Sequence, residues 1–137
     1  AEIVAMVSVS SNAQSATAGA RKLLEENPQI NLLVGFNEWS TLGVGMAIKE
    51  LGLKDSVCAI GFDNNTECVG MLETGELDTL IVQNPFSMGY LAVMNAANIL
   101  SGKKTESVIK TDVYVVDRSN MFSADVQKIL FGFDKYD

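Results

Sequence analysis

Four short polar clusters carry what chemistry this sequence offers. They are Ser10-Ser11-Asn12, Asn37-Glu38, Asp63-Asn64 and Gln83-Asn84. Each follows a run rich in β-branched or other apolar residues, and none contains a cation. A carboxylate accepts hydrogen bonds from neighbouring hydroxyls, and a primary amide both gives and accepts them. Such a set suits a neutral, polyhydroxylated ligand, with Asp63 as its strongest contact because hydrogen bonds to charged groups exceed neutral ones. Trp39 stands beside the second cluster and could cover an apolar sugar face; a packing role for it stays open. Asn, Asp and Ser at strand ends also serve turns and helix caps. Gln83 is the position that reading explains least.

Other chemistries lack their residues. The chain of 137 residues has no histidine, so the commonest general base and metal ligand are missing together. No nucleophile–base–acid arrangement, metal-ligand cluster or phosphate loop is present, and no cofactor or metal is expected. Gly43-Val44-Gly45 lies within a helical pattern and reads as close helix packing, not as a dinucleotide fingerprint. The net charge of −7 argues against nucleic acid and against an anionic membrane surface. No apolar run approaches the roughly 20 residues of a membrane-spanning helix. Cys58, in an apolar run, is expected to be buried, and Cys68 to lie on a helix. Two cysteines do not make a disulfide framework. Met46, Met71, Met88 and Met94 read as core filler.

The elements that must position these clusters alternate. Strands are expected over Ile3–Val9, Ile30–Phe36, Ser56–Phe62, Asp78–Val82 and Val108–Val116. The helix after the first strand carries Ala13, Ala16, Thr17, Ala20, Leu23 and Leu24 on one face and ends at Asn27-Pro28. The second, capped by Ser40 or Thr41, carries Val44, Ala47, Ile48 and Leu51 and stops at Gly52. A short helix spans Thr66–Glu73, a longer one runs from Pro85 to Gly102, and a tail helix covers Ser123–Leu130. Alternation with short loops predicts an α/β fold, doubly wound, with a mostly parallel sheet and helices on both faces. Ligands of such sheets bind beyond the carboxyl ends of the strands, where the four clusters fall. The expectation is one α/β domain over 1–137, with 1–83 as the binding lobe and 84–137 as a hinge-crossing helix, return strand and tail. The chain opens at Ala1-Glu2-Ile3-Val4 as if within a strand, and is expected to be part of something longer.

Val34-Gly35-Phe36-Asn37-Glu38, Ile60-Gly61-Phe62-Asp63 and Thr79-Leu80-Ile81-Val82-Gln83-Asn84-Pro85-Phe86-Ser87-Met88-Gly89-Tyr90 together resemble type I periplasmic-binding proteins for sugars, the ribose- and galactose-binding group. Leu23-Leu24-Glu25-Glu26-Asn27-Pro28 adds to the likeness, which covers about residues 3–120. It implies a two-lobed protein, of which this chain is the later half, gripping a monosaccharide in a cleft. Asn37, Asp63 and Gln83 match ligand contacts of that group, and the segment at Ser11 and Asn12 faces the cleft but lacks the aromatic often found there. The implied role is an extracytoplasmic solute-binding component partnered with the membrane permease of an ABC transporter. Self-association of an isolated lobe is a further expectation. The competing readings are a ligand-sensing domain of a transcriptional repressor or sensor kinase and, last, an enzyme on the same architecture.

Overall fold

The computed structural model describes residues 1–131. Its elements run α1 (Ala13–Glu26), β1 (Leu32–Val34), α2 (Glu38–Leu51), β2 (Cys58–Phe62), α3 (Thr66–Thr74), β3 (Thr79–Gln83), α4 (Pro85–Leu100), β4 (Val113–Asp117) and α5 (Ala124–Phe131). The sheet has four strands in the order β1-β2-β3-β4. β1 pairs with β2 in parallel through Leu32↔Cys58, Leu33↔Ala59 and Val34↔Ile60. β2 pairs with β3, also in parallel, from Ile60↔Thr79 to Phe62↔Ile81. The fold is the expected α/β type, five helices about a mostly parallel sheet.

Two compact units make up the chain. One holds Ala1–Val82 and the described residues from Val115 onward; the other is Gln83–Tyr114. The core of the first is built from Leu33, Ala59, Leu80, Val82 and Val116 of the strands and Ile48, Leu72, Leu77 and Met121 around them, all buried. α2 lies tightly against its neighbours because glycine replaces bulk at the contacts. A Cβ on Gly43 would fall 2.4 Å from Ala16 of α1, and one on Gly45 2.6 Å from the Met71 sulfur of α3. The expected packing role of this Gly-Val-Gly stretch is what the structure has. In the second unit α4 starts at Pro85 behind the cap of Asn84, and Phe86 and Tyr90 stack one turn apart, their centroids separated by 6.5 Å. Its expected apolar stripe (Phe86, Tyr90, Val93, Met94, Leu100) is exposed.

Several expectations need correction. Ile3–Val9 forms no strand: Ile3, Val4, Met6 and Val7 are exposed, and Val7 and Val9 lie against Gly19 of α1. β-Branched composition makes a strand only where another strand accepts its ladder, and β1 has β2 on one side alone. The Val108–Val116 strand shortens to Val113–Asp117, since Lys110-Thr111-Asp112 interrupts its apolar run. Cys58 is exposed, not buried, because it opens β2 at the polar sheet margin near Asn31, Lys54 and Asp78. Cys68 is buried on α3, and both thiols are free. Met71 is core, whereas Met46, Met88 and Met94 are exposed. Finally, α2 begins at Glu38 with Asn37 as its cap, ahead of the expected start.

Candidate functional site at the carboxyl ends of the strands

The cap correction bears directly on the site. Asn37 Oδ1 accepts from the Ser40 amide at 2.9 Å, while Ser40 Oγ accepts from the Asn37 amide at 3.0 Å. This reciprocal box satisfies two of the amides a helix start leaves open. It also engages the side-chain carbonyl oxygen of Asn37, so the group it offers outward is its NH2, a donor pair.

Asp63 follows the last residue of β2 and carries a φ of 70°, which makes it the one non-glycine residue with positive φ among the described residues. The left-handed region costs an L-residue roughly 1–2 kcal/mol, least for Asn and Asp. Its own N–H continues the ladder to Ile81 O at 3.1 Å. Its Oδ2 accepts from the Glu38 amide, the first of α2, at 3.0 Å. The carboxylate thus sits at the positive end of α2, where a negative charge is favoured. The residues after it are tied as firmly. Asn64 Nδ2 donates to Leu130 O at 2.7 Å and Ile129 O at 3.3 Å, closing the end of α5. Asn65 Oδ1 caps α3 by accepting from the Cys68 amide, and its Nδ2 donates to Glu38 Oε1 at 3.0 Å.

Thr41 holds these two loops together from beneath. Alternate residues of β2 face opposite neighbours: Ala59 and Asp63 turn toward β3, Cys58 and Ile60 toward the β1 side. Phe62 therefore turns toward the β1 side, but β1 has already ended. The buried Thr41 hydroxyl takes the place of the absent strand, accepting from Phe62 N at 2.8 Å and donating to Phe62 O at 3.0 Å. Gly61 makes room for it, since a Cβ there would fall 2.1 Å from the Thr41 methyl.

Asp63 is thereby held in one hydrogen-bonded cluster with Glu38 and Asn65, and Asn37, bonded to Ser40 and Thr41, adjoins it along the chain. Ser11 and Asn12 make no hydrogen bond to it. Asn12 caps α1 through the Ser15 amide at 2.8 Å, and Ser11 is exposed beside it. Trp39, the second residue of α2, is partly exposed. Gln83, exposed, ends β3 and falls in the second unit. Sequence reasoning missed Phe36, which is 77% exposed and pairs with Phe62 at 6.1 Å between ring centroids. Its signal was present as a repeated aromatic-then-polar step, Phe36-Asn37 and Phe62-Asp63. Glu38 stands in the second polar cluster and Thr41 is an expected cap, but the contacts they make, and those of Asn65, depend on which loops meet. Among the described residues, no three His, Cys, Asp or Glu side chains could hold a metal. An open groove of about 600 Å³ between α1 and α2, bordered by Thr17, Met46 and the ion-paired Arg21, lies away from the strand ends. What the cluster can do chemically is accept hydrogen bonds on fixed carboxylate oxygens, donate from an amide, and offer an aromatic face alongside.

Residues 2–104 match the family described as "Periplasmic binding protein domain". The chain belongs to this family. It is a family of binding proteins and not of enzymes, whose members are typically periplasmic. The ribose import binding protein RbsB of Haemophilus influenzae is 31% identical over 94 residues, covering 69% of this chain and 32% of the relative. RbsB of Bacillus subtilis is 34% identical over 87 residues, 64% of this chain and 28% of the relative. Among solved structures, a carbohydrate transporter solute-binding protein from Agrobacterium radiobacter in complex with D-arabinose superposes with a TM-score of 0.87 at 30% identity. The match covers 94% of this chain and 44% of that one. An ABC transporter solute-binding protein from Agrobacterium vitis with bound D-fucose gives 0.86 at 30% identity, over 95% of this chain and 45% of the other. The chain thus spans about a third of the curated relatives and under half of the solved chains, and it matches one lobe of the latter.

Proposed function

We propose that this chain is the ligand-gripping part of an extracytoplasmic solute-binding protein serving a sugar ABC transporter. It takes a monosaccharide at the strand ends, with Asp63 accepting from adjacent hydroxyls and the Asn37 amide donating. Gln83, Ser11, Asn12 and Trp39 are secondary contacts, and a membrane permease is the macromolecular partner. The observation that carries this reading is Asp63. It stands at a left-handed backbone position that a plain turn would give to glycine, with one carboxylate oxygen tied to α2 and its neighbour cap supplying only neutral groups. Residues 36–41 and 62–65 contain no cation, which disfavours an anionic ligand and suits a neutral one. The bound D-arabinose and D-fucose of the similar structures support the same class.

One lobe supplies only part of the contacts that closure around a ligand assembles, so the chain alone binds weakly. The test is a ¹H–¹⁵N NMR titration with D-ribose, D-arabinose and D-fucose at millimolar concentrations. Saturable shifts centred on Asn37 and Asp63, lost in Asp63→Ala, are expected. Unchanged affinity in Asp63→Ala sinks the site, and absence of any titration sinks the sugar reading. A submicromolar constant for the chain by itself overturns the view that half the grip lies elsewhere.

A further inference from the structure

Asn65 does more than its cap requires. An N-cap needs only a side-chain acceptor, which Asp, Ser or Thr would supply as well. The Oδ1 of Asn65 fills that role toward Cys68. Its Nδ2 is additional, and it donates to Glu38 Oε1 at 3.0 Å. The same Glu38 uses its backbone N–H to hold Asp63 Oδ2. The three residues therefore close a ring: Asp63 carboxylate to Glu38 backbone, Glu38 carboxylate to Asn65 amide, and Asn65 back to Asp63 along two residues of chain. This side-chain bond ties the α3 cap, two residues along the chain from Asp63, to the start of α2.

We propose that Asn65 is a positioning residue of the Asp63 site: through Glu38 it locks the start of α2 to the turn at Asp63 and presets one carboxylate oxygen for ligand. The assignment rests on the sugar-binding reading above, which it deepens. Rotation of the Asp63 side chain would break its bond to Glu38, and a shift of the turn would break the Asn65 bond. With Oδ2 held, Oδ1 has a fixed direction before any ligand arrives. Such preorganisation raises affinity by removing an ordering cost at the moment of binding.

The chemistry permits a clean separation of cap from clamp. Asn65→Asp keeps an acceptor for Cys68 but removes the donor and sets a carboxylate against Glu38. Asn65→Ser keeps the cap without adding charge. The double variant E38Q/N65D exchanges amide and carboxylate, so that the α2 side now donates and the α3 cap accepts. Two readouts apply to the whole chain. Hydrogen exchange at the backbone amide of position 38, followed by NMR without sugar, reports the bond to Asp63. Titration with D-arabinose and D-ribose reports the site. Both single variants of Asn65 are expected to speed that exchange and to weaken sugar binding, each by about five- to tenfold, the scale of one hydrogen bond. The double variant is expected to restore both. A merely structural Asn65 would move unfolding without being rescued by the exchange of groups. Wild-type Glu38 exchange in N65D and N65S overturns the clamp. Recovery of exchange in E38Q/N65D without recovery of sugar affinity overturns the positioning role. If the wild-type chain titrates with no sugar, the sugar reading fails, and with it the positioning role; Glu38 exchange then still decides whether the clamp exists.

Discussion

Thr41→Val is the substitution whose outcome the structure determines most closely. Valine has the shape of threonine, so the pocket above Gly61 stays filled, and only the hydroxyl is lost. That hydroxyl serves both the N–H and the C=O of Phe62, at 2.8 and 3.0 Å. No strand lies on that side at the level of Phe62, because the β1 register ends at Val34↔Ile60. Leaving a buried polar group without a partner costs about 1–3 kcal/mol. Phe62 is half-buried, which argues for the lower end. Two such groups give a loss of about 2 kcal/mol, roughly a 30-fold change in the unfolding constant. Thr41→Ser is the control. It keeps the hydroxyl and loses one buried methyl, about 1 kcal/mol. Urea unfolding followed by Trp39 fluorescence reports the first unit, where Trp39 lies in the first turn of α2, and an unchanged m-value would show that the two end states are comparable. Phe62 amide exchange gives the local reading: protection is retained in the serine variant and lost in the valine variant. Valine as stable as serine, or a protected Phe62 amide in Thr41→Val, would refute the idea that this hydroxyl replaces the missing strand.

Gly43→Ala and Gly70→Ala make the same chemical change with opposite expected signs. The first places a Cβ 2.4 Å from Ala16 and should destabilise by about 1–3 kcal/mol even after the gain in helix propensity, whereas the second meets nothing within 4 Å and should stabilise by about 0.5–1 kcal/mol. Urea midpoints that move in the same direction would count against the packing account. The thiols should separate as sharply: burial pushes Cys68 up to about 12, and Cys58 is exposed, so a thiol reagent at mildly alkaline pH should modify one group in the native chain and two after denaturation. Any native modification of Cys58→Ser would contradict this. The Thr74 hydroxyl, bonded to Glu76, holds that carboxyl below its ordinary value of 4.5, with burial opposing and Lys49 and Lys54 assisting. A depressed carboxyl contributes stability that is fully present above its unfolded value and is lost as pH falls through the folded one. Thr74→Ala should therefore shift acid unfolding to higher pH, and an unmoved acid midpoint would dismiss the linkage.

Much of the candidate site was legible because the rule that places it is topological. Alternating elements specify a parallel sheet, and a parallel sheet directs its ligand end to the residues after each strand. Asn37 and Asp63 follow from that alone. The elements whose composition misleads all turn on a partner. Ile3–Val9 has the composition of a strand and pairs with none, although one edge of β1 is open. Cys58 has an apolar run on one side and a polar margin on the other, and only the register with Leu32 shows which prevails. Ser40 has the chemistry of a cap and is instead the return half of a box whose cap is Asn37. Nothing in linear order says that Glu38 would meet both Asp63 and Asn65.

The cap and the contact need not compete for these residues. Asn37 has two readings, a helix cap or a ligand contact, and in the structure the cap claims only its side-chain carbonyl oxygen, through Ser40. The amide nitrogen lies on the other side of the same planar group, so the bond that anchors the helix also aims the donor. Asp63 repeats the arrangement with its two oxygens, and Asn65 divides itself between Cys68 and Glu38. A bifunctional side chain at a strand–helix junction can be fixed by one end and presented by the other. A serine hydroxyl also gives and accepts, as Thr41 does, but from a single atom with no second end to present, and lysine or arginine would bring the wrong charge to the positive end of a helix. On the proposed sugar-binding reading, Asn37 and Asp63 supply such two-ended side chains after β1 and β2.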